Sequence, residues 1–501
     1  MESENLETLT SEKLDKIEEL EQEIVALKQE NTGLKLENIG LKQALDEKSI
    51  EQKTDSSTSS KAPSSDYGAK KVGSLKDIMN QYANKSTEEE KNPRGKQVGS
   101  KGFGRKIPAN AEIQTVRHLP TNCLNCPNKE KCDAKEVCKA TKNEIDFKVT
   151  VTNTRHQLIA KQCPMQNNQT ITGHLPDRLK SSVQYGIGII ALVIYCFSLS
   201  LSYERIHSLL KCLLGDATPS TGTIHSMVEK FATSDSVKST YAEIFLYLKR
   251  LLDVLNVDET GFRSNGKKLW MHVICNFRAT YAFISESRGF KAMLEGGTAF
   301  LKGSTLVHDF WRSYFLIDGV DHAMCNAHII RELAGIFIFY KQEWALNALI
   351  LLLKIHDAKE EALAAGIDHF SDEQIQEYKA QLLIEIKKGI EMNPAPEHKK
   401  GQKRVKNPKP LNLALRMEEY IDQILAFAIN FKIPFTNNLA ERAARGAKTK
   451  LKNSLYLEGT GAKDFAIIYS VLDTAKKQGM SPFEAIKTLL CGWELDISHV
   501  A

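Results

Sequence analysis

The order of the hydrophobic segments that follow Leu251 constrains the fold of this chain more than any other feature. Three β-strand patterns with tight connections come first: LLDVLNVDETGF, KLWMHVICNF and ATYAFISES. A helix-like segment, FKAMLEGGTAFL, precedes a further strand in STLVHDFWRSY, and HAMCNAHIIRELAGI is a short strand that leads into a helix. This succession predicts a domain of mixed α/β class.

Two acidic residues, Asp258 and Asp309, lie at the ends of strands in this pattern. Strand, strand, strand, helix, strand, helix resembles the order of a ribonuclease-H-like fold, in which these two strands would be adjacent. Carboxylate oxygens are the ligands that Mg²⁺ or Mn²⁺ requires. Two such ions about 4 Å apart can activate the attacking oxygen and stabilise the leaving oxygen in phosphoryl transfer. The pattern therefore predicts a metal-dependent phosphoryl-transfer site.

A site of this kind needs at least one more carboxylate, and Glu441 in FTNNLAERAARGAKTK is the candidate. It lies on a predicted helix that begins near Asn437 or Asn438. Several basic residues follow on the same helix: Arg442, Arg445, Lys448, Lys450 and Lys452. A carboxylate among cations suits a surface that holds a phosphate backbone beside a metal. The structural alternative is that each Asp forms a turn or cap and that Glu441 only pairs with Arg445 at i,i+4.

The interval from Asp309 to Glu441 is long, at 132 positions. Its apolar spacing is mostly helical, so we expect a helical insertion at about residues 330–430 within a catalytic domain that spans residues 246–480. A C-terminal helical tail is expected over residues 481–501. The stretch from His398 to Lys409 is basic and contains no acid, which suits either a DNA-facing loop or a disordered one.

Four cysteines fall within sixteen residues upstream: Cys123, Cys126, Cys132 and Cys138. A C-x2-C pair supplies two thiolates from one knuckle, and two further cysteines can complete a tetrahedral Zn²⁺ site. Cys163, with His156 nearby, can replace one of the four. An iron-sulfur cluster and ordinary free thiols are the alternatives. The sequence therefore predicts a cysteine-rich, zinc-binding region over residues 108–175.

A heptad pattern occupies residues 1–45 and predicts a coiled coil. Its a and d positions hold the following residues: Ile17, Leu20, Ile24, Leu27, Asn31, Leu34, Asn38, Leu41 and Leu45. Glutamates at g and lysines at e give the charge complementarity of a parallel, self-paired coil. We expect a homodimer or a higher homo-oligomer, and the alternative is one amphipathic helix packed on its own chain.

Two further segments connect the coil to the catalytic domain. Residues 46–107 are rich in Ser, Thr, Lys, Gly and Asn, and they include a basic arm from Lys91 to Lys106, so a flexible basic linker is expected. Residues 176–245 carry three short helical patterns, with Gly215 and Pro219 before the third. They predict a helical DNA-binding segment similar to a helix-turn-helix, with a plain helical bundle as the alternative.

The formal net charge of +5 is too small to name a nucleic acid or membrane partner by itself. The start, MESENLETL, lacks the basic segment and apolar stretch of a secretory signal, so we expect a cytoplasmic protein. The uncharged stretch from Tyr185 to Tyr203 has a continuous apolar run of only Ile187 to Phe197. That length suits a buried helix better than a membrane span, and no membrane partner is expected.

Four motifs resemble, in this order, those of the insertion-sequence 66 family of transposases: Asp258-Glu259-Thr260, His308-Asp309-Phe310-Trp311-Arg312-Ser313-Tyr314, Cys325-Asn326-Ala327-His328-Ile329-Ile330-Arg331-Glu332 and Asn437-Asn438-Leu439-Ala440-Glu441-Arg442. The resemblance implies that Asp258, Asp309 and Glu441 are the acidic catalytic triad. It also implies that Cys325-x2-His328 is the element that follows the second catalytic Asp in several related groups of transposases. We place His328 near the scissile phosphate, with a satisfied core Cys and His pair as the alternative.

The family pattern commonly has two C-x2-C knuckles, whereas here Cys132, Cys138 and Cys163 stand in place of the second pair. Arg312 and Arg331, within the motifs, join Arg442, Arg445, Lys448 and Lys450 as candidate DNA-binding residues. The resemblance implies Mg²⁺-dependent cleavage and strand transfer on double-stranded DNA, at the element's terminal inverted repeats and at a target, with bacterial nucleoid association when bound. The alternatives are a ribonuclease-H-like nuclease that cuts without joining, and a non-catalytic zinc-containing DNA-binding regulator.

Overall fold

The computed structural model describes residues 107–108, 113–396, 406–453 and 460–497, apart from positions 125, 128, 136, 147, 177, 178, 180, 182 and 265. The predicted coiled coil, nearly all of the predicted linker and most of the basic stretch from His398 to Lys409 lie outside the described residues. The described residues fall into two compact units, a smaller one before residue 178 and a larger one after it.

The smaller unit contains the cysteine-rich region and little regular structure among its described residues. A single helical turn, α1 (Thr121–Leu124), holds Cys123. Strands β1 (Ala160–Cys163) and β2 (Gln169–Thr172) form an antiparallel hairpin in which Ala160 pairs with Thr172. Both strands are largely exposed.

The larger unit begins with four helices: α2 (Ile187–Ser198), α3 (Tyr203–Leu214), α4 (Thr221–Thr233) and α5 (Asp235–Arg250). Ser202 and Ser220 cap α3 and α4, because each side chain accepts a hydrogen bond from the backbone N–H three residues later. The uncharged α2 has buried side chains along its length, as its composition predicts. In the part of the chain that the structure describes, no helix is long and apolar enough to cross a membrane.

A mixed five-stranded sheet follows, with the strand order β5-β4-β3-β6-β7. Its strands are β3 (Val254–Ser264), β4 (Lys267–Cys275), β5 (Thr280–Ser285), β6 (Thr305–His308) and β7 (Asp321–Met324). The pairs β3-β4 and β4-β5 are antiparallel hairpins, whereas β3-β6 and β6-β7 are parallel. A short helix, α6 (Phe290–Glu295), lies in the crossover from β5 to β6. This strand and helix order is the one that the sequence predicts.

The position of Asp258 differs from the expectation that it ends a strand. Asp258 is the fifth residue of β3, and pairing with β4 continues to Ser264 opposite Lys267. The strand extends because Gly266, at φ +76°, closes a tight hairpin beyond it. Asp309 does follow its strand directly, since β6 ends at His308.

A helical region separates β7 from the last helices of the larger unit. It comprises α7 (Asn326–Tyr340), α8 (Glu343–Ala364), α9 (Asp372–Glu391), α10 (Lys409–Glu419), α11 (Ile421–Ile424) and α12 (Ala426–Ile429). These helices bury a hydrophobic core of their own, with Trp344 as its largest side chain. The sequence predicts a helical insertion at about residues 330–430, and the described residues of that range are mostly helical.

In the described residues after the insertion, three helices follow: α13 (Asn438–Asn453), α14 (Gly461–Lys477) and α15 (Pro482–Leu490). Ser470 and Thr474 of α14 hydrogen-bond the edge strand, because their hydroxyls accept from the backbone N–H groups of Ala282 and Thr280. These bonds cover the open edge of β5 with a helix, as an exposed edge requires.

Gly389 provides a test of the packing between α8 and α9. A Cβ added there would lie 2.7 Å from the indole of the buried Trp344. We expect Gly389→Ala to reduce stability by about 1–3 kcal/mol, because the indole must move within a packed core. Differential scanning fluorimetry of the full chain should show a melting temperature several degrees lower. In Gly188→Ala, where a Cβ meets nothing within 4 Å, the melting temperature should not fall; equal effects of both changes would contradict the packing.

Candidate active site

The three predicted catalytic acids come from three different elements of the larger unit. Asp258 lies on β3, Asp309 follows β6, and Glu441 lies in the first turn of α13. Burial raises the pKa of Asp258 well above its usual range, and the negative charges of Glu259, Asp309 and Glu441 raise it further. Each of the other acids is therefore close enough to Asp258 to disfavour its ionised form.

Glu259, next to Asp258 on β3, is held by two partners. Its Oε1 accepts from Arg288 Nε at 2.7 Å and its Oε2 accepts from the Tyr314 hydroxyl at 2.6 Å. Burial raises the pKa of Glu259 to about 7, although the Arg288 guanidinium opposes that shift. The guanidinium also lies 3.9 Å from the ring centre of Trp311. The sequence gives no sign of the pairing between Glu259 and Arg288, since they stand 29 positions apart with no spacing pattern that links them.

Asp309 is fixed by the loop that follows β6. Its Oδ1 accepts from the backbone N–H of Trp311 at 2.8 Å, which is the turn-forming contact that the structural alternative predicts. This contact uses one carboxylate oxygen. A turn-forming role and a role at the site are therefore compatible for Asp309.

Asn437 fixes the start of α13 against the sheet. Its side-chain N–H donates to the carbonyl of Val257 at 2.8 Å, and its amide oxygen accepts from Asn256 at 2.9 Å. The carbonyl of Asn437 accepts from the backbone N–H of Glu441 at 3.1 Å. These hydrogen bonds connect Asn256 and Val257, the two residues before Asp258, to the turn of α13 that carries Glu441. Asn437 was expected only as a helix start, and its pairing with Asn256 across the sequence has no local signal.

The Cys325-x2-His328 element lies beside Glu441. The thiol of Cys325 is 3.9 Å from Glu441 Oε1, and its sulfur accepts from the backbone N–H of Asn437 at 3.1 Å. One potential ligand atom from each of Cys325, His328 and Glu441 lies within 4.8 Å of the other two. Asp258 and Asp309 are not part of this close group among the described residues. Burial raises the pKa of the Cys325 thiol to about 11.

The predicted DNA-binding residues occupy different environments. Arg442, Arg445 and Lys448 are exposed on α13, Arg312 is exposed in the loop after Asp309, and Arg331 is half-buried on α7. Arg445 lies 3.9 Å from Glu441, at the limit of an ion pair. The alternative interpretation of Glu441, as only the i,i+4 ion-pair partner of Arg445, therefore rests on a single long contact.

Lys450 is a correction to the predicted DNA-binding set. The side chain is buried, its Nζ donates to the carbonyl of Leu201 at 2.6 Å, and the ammonium lies 3.7 Å from the ring centre of Phe197. Lys450 points into the helices upstream because α13 presents one face to solvent and the other to the core. We therefore exclude it from the residues that contact DNA.

The predicted zinc cysteines are not brought together. Cys123, Cys132 and Cys138 are exposed, and Cys126 and Cys163 are half-buried. Within the described residues, no three of these thiols lie within 4.8 Å of one another. The thiol of Cys138 instead donates to the carbonyl of Ala140 at 3.6 Å. The zinc site therefore stays a prediction from the sequence.

A mixed sheet flanked by helices, with one acid on a strand, one directly after the neighbouring strand and one on a helix packed against the sheet, fits a DDE-type transposase domain. The chain belongs to the Transposase IS66 family, whose sequence model matches residues 182–464. A comparison with curated proteins gives no match. Family membership supports a transposase role for this chain, which is that of a DNA-processing and DNA-binding protein.

The buried environment of Lys450 generates a pH-dependent prediction. Burial lowers the pKa of Lys450 to about 7, from 10.5 in the unfolded chain. Between these values the unfolded chain binds more protons than the folded one, so this contribution to stability rises with pH. We expect the melting temperature of the wild type to rise relative to Lys450→Met between pH 7 and pH 10. Lys448→Met, which changes an exposed neighbour, should follow the wild type, and parallel curves for all three proteins would contradict the assignment.

Proposed function

We propose that this protein cuts the ends of an insertion-sequence element and joins them to target DNA, with Asp258, Asp309 and Glu441 as its catalytic carboxylates. The observation that carries the proposal is that the buried Asp258 of β3 has Asp309, just after β6, and Glu441 of α13 as neighbours whose negative charges raise its pKa. Burying several carboxylates side by side is unfavourable unless a cation compensates them. In the described part of the chain, Arg288 compensates Glu259 directly, and Asp258 has no such partner.

The donor set fits a divalent cation. Asp258, Asp309 and Glu441 offer carboxylate oxygens, which are hard ligands suited to Mg²⁺ or Mn²⁺. When bound, such ions supply Lewis-acid activation of the attacking oxygen and charge stabilisation of the leaving oxygen. The hydrogen bonds of Glu259 to Arg288 and to Tyr314 fix β3 next to Asp258. The carbonyl of Asn437 accepts from the backbone N–H of Glu441 and so fixes the first turn of α13.

The reaction consists of two displacements at phosphorus. A water molecule first attacks the phosphodiester at the element's end, which breaks one P–O bond and leaves a free 3′-hydroxyl. That hydroxyl then attacks a phosphodiester of the target, so one P–O bond forms as another breaks. We place His328, which lies beside Glu441, near the scissile phosphate. No covalent bond between protein and DNA is needed.

The exposed cations of α13 suit the DNA backbone. Arg442, Arg445 and Lys448 follow Glu441 on the same helix and face solvent, and Arg312 follows Asp309. Exposed cations that follow two of the acids closely along the chain would bind phosphates next to the site. Arg331 and the helices α2 to α4 are further DNA contacts in this proposal.

Two element ends need two active sites, for which the predicted coiled coil offers a route to a dimer.

Two other functions make different products from the same substrate. A nuclease of this fold cuts element ends without joining them, and a DNA-binding regulator does neither. Incubation of the full chain with labelled element ends, target DNA and Mg²⁺ separates the three, because joined, cut and merely bound DNA are resolved on a denaturing gel and a native gel. Joined product supports the proposal, and either of the other patterns overturns it.

We expect Asp258→Asn, Asp309→Asn and Glu441→Gln each to reduce joining by more than about 100-fold, since removal of even an outer metal contact often costs 10–100-fold. DNA binding on a native gel should be retained, because these changes remove no cation. Asp318→Asn, at an exposed position, is the matched control and should join at the wild-type rate. Joining by Asp258→Asn at that rate would disprove the assignment.

The basic face of α13 makes a separate prediction about binding. We expect Arg442→Ala, Arg445→Ala and Lys448→Ala each to weaken DNA binding at all sequences and to reduce the slope of log K against log salt by about 1. Fluorescence anisotropy over a range of salt concentrations measures both effects. Lys387→Ala removes an exposed lysine from α9 instead, and it should leave the slope unchanged. Equal slopes for all four variants and the wild type would show that α13 does not contact phosphates.

A further inference from the structure

We propose that Cys325, His328 and Glu441 form a separate binding site for a thiophilic transition metal, of which Zn²⁺ is the best fit, and that occupancy of this site withdraws Glu441 from the catalytic acids. The first half concerns metal binding and depends only on the geometry of these three residues. The second half, inhibition, rests on the proposed function, because it requires Glu441 to be catalytic.

Three potential metal ligands, a sulfur, an imidazole nitrogen and a carboxylate oxygen, lie close together. Cys325 precedes the first turn of α7 and His328 lies within that turn, so a spacing of three positions puts both side chains on the same side of the helix. Glu441 approaches from α13, with its Oε1 at 3.9 Å from the sulfur. Zinc bonds of about 2.0–2.3 Å require ligand atoms somewhat less than 4 Å apart. The three atoms, within 4.8 Å of one another, reach that spacing by side-chain rotation.

The imidazole of His328 gives an independent indication of a missing partner. Its Nδ1 is buried and has no hydrogen-bond partner among the described residues. A buried polar atom without a partner is unfavourable, so this unpaired ring nitrogen is consistent with a ligand that binds there. A metal bound to the ring would orient it and offset that cost.

Charge and ligand softness select the metal. Binding releases the Cys325 proton to solvent, and the resulting thiolate together with the Glu441 carboxylate balances the two charges of Zn²⁺, while His328 stays neutral. The buried site then carries no net charge, which avoids the cost of an isolated ion. Thiolate and imidazole favour Zn²⁺, whereas all-carboxylate sites favour Mg²⁺. The two sites therefore prefer different metals while sharing Glu441.

Sharing has a consequence for the acids on the sheet. The Glu441 carboxylate can turn toward the sulfur of Cys325 or toward Asp258, whose pKa responds to its charge. A carboxylate bound to a metal beside Cys325 is held on that side. Occupied by zinc, the site would thus remove the third oxygen ligand from the Asp258 and Asp309 pair.

Cobalt binding to the full chain tests the first half without any activity measurement. Co²⁺ bound to a thiolate gives a charge-transfer absorption, and the N-terminal cysteines contribute equally in every variant. We expect wild type to bind one equivalent of Co²⁺ more than Cys325→Ser and to show the additional thiolate band. Cys491→Ser, which removes an exposed thiol, should match the wild type. Identical spectra for wild type and Cys325→Ser would overturn the proposal.

His328→Gln provides a second variant that does not touch the bond between Cys325 and Asn437. It should weaken Co²⁺ binding at least tenfold while keeping the wild-type circular dichroism spectrum. This comparison keeps the test decisive if Cys325→Ser lowers the melting temperature. Unchanged Co²⁺ affinity in His328→Gln would also overturn the proposed ligand set.

Inhibition is measured as DNA cleavage in excess Mg²⁺ with increasing Zn²⁺, each variant relative to its own zinc-free rate. We expect Zn²⁺ to inhibit wild type and Cys491→Ser alike, and Cys325→Ser to need at least tenfold more. Equal sensitivity of Cys325→Ser, despite its lost Co²⁺ band, would overturn the coupling to Glu441. If wild type cuts no DNA with any metal, the proposed function fails, while the Co²⁺ spectra still decide whether the metal site exists.

Discussion

The hydrogen bonds of Asn437 are the interaction on which the candidate site depends. Through its amide, Asn437 holds the start of α13 to Val257 and Asn256, the two residues that precede Asp258. Its backbone carbonyl accepts a hydrogen bond from the backbone N–H of Glu441, and its backbone N–H donates to the sulfur of Cys325. A buried amide with both its donor and its acceptor satisfied fixes orientation more strictly than apolar packing does. Together with the buried Ala440, Ala443 and Ala444 of α13, these bonds hold the helix that carries Glu441 against the strand that carries Asp258.

Electrostatics then divides the four acids into two kinds. Glu259 is neutralised locally by Arg288 and by the Tyr314 hydroxyl, and it stabilises the inner part of the site. Asp258 has neighbours of its own sign, a destabilising arrangement that proteins keep where function requires it. The Arg288 guanidinium also lies 5.1 Å from the ring centre of Trp270 and 3.9 Å from that of Trp311, close enough for cation–π contacts. The unfavourable charge is thus concentrated at Asp258, where the proposed chemistry occurs.

The sequence carries enough information for the order of the strands, the buried helix α2 and the helical character of the region after β7, because each depends on local periodicity. It places Asp258 at a strand end, whereas β3 continues to Ser264, since the hairpin with β4 is a tertiary pairing. It places Lys450 among the DNA contacts, whereas the ammonium is buried against Phe197. Which face of α13 is covered depends on helices more than two hundred positions upstream. The bonds from Glu259 to Arg288 and from Asn256 to Asn437 are nonlocal in the same way, and no pattern within one sequence indicates them.

The long insertion does not separate the parts of the site, because its two ends meet there. Asn326, at its beginning, donates its backbone N–H to the carbonyl of Phe435 and its side chain to the carbonyl of Ile424. Asn437, just past its end, donates to Cys325. The entropic cost of closing a loop grows only slowly with its length. An insertion of about a hundred residues with its own core therefore adds little to the cost of bringing its two ends together. The first turn of α7 and the first turn of α13 therefore behave as one local unit, in which Cys325, His328 and Glu441 are neighbours whatever the insertion contains.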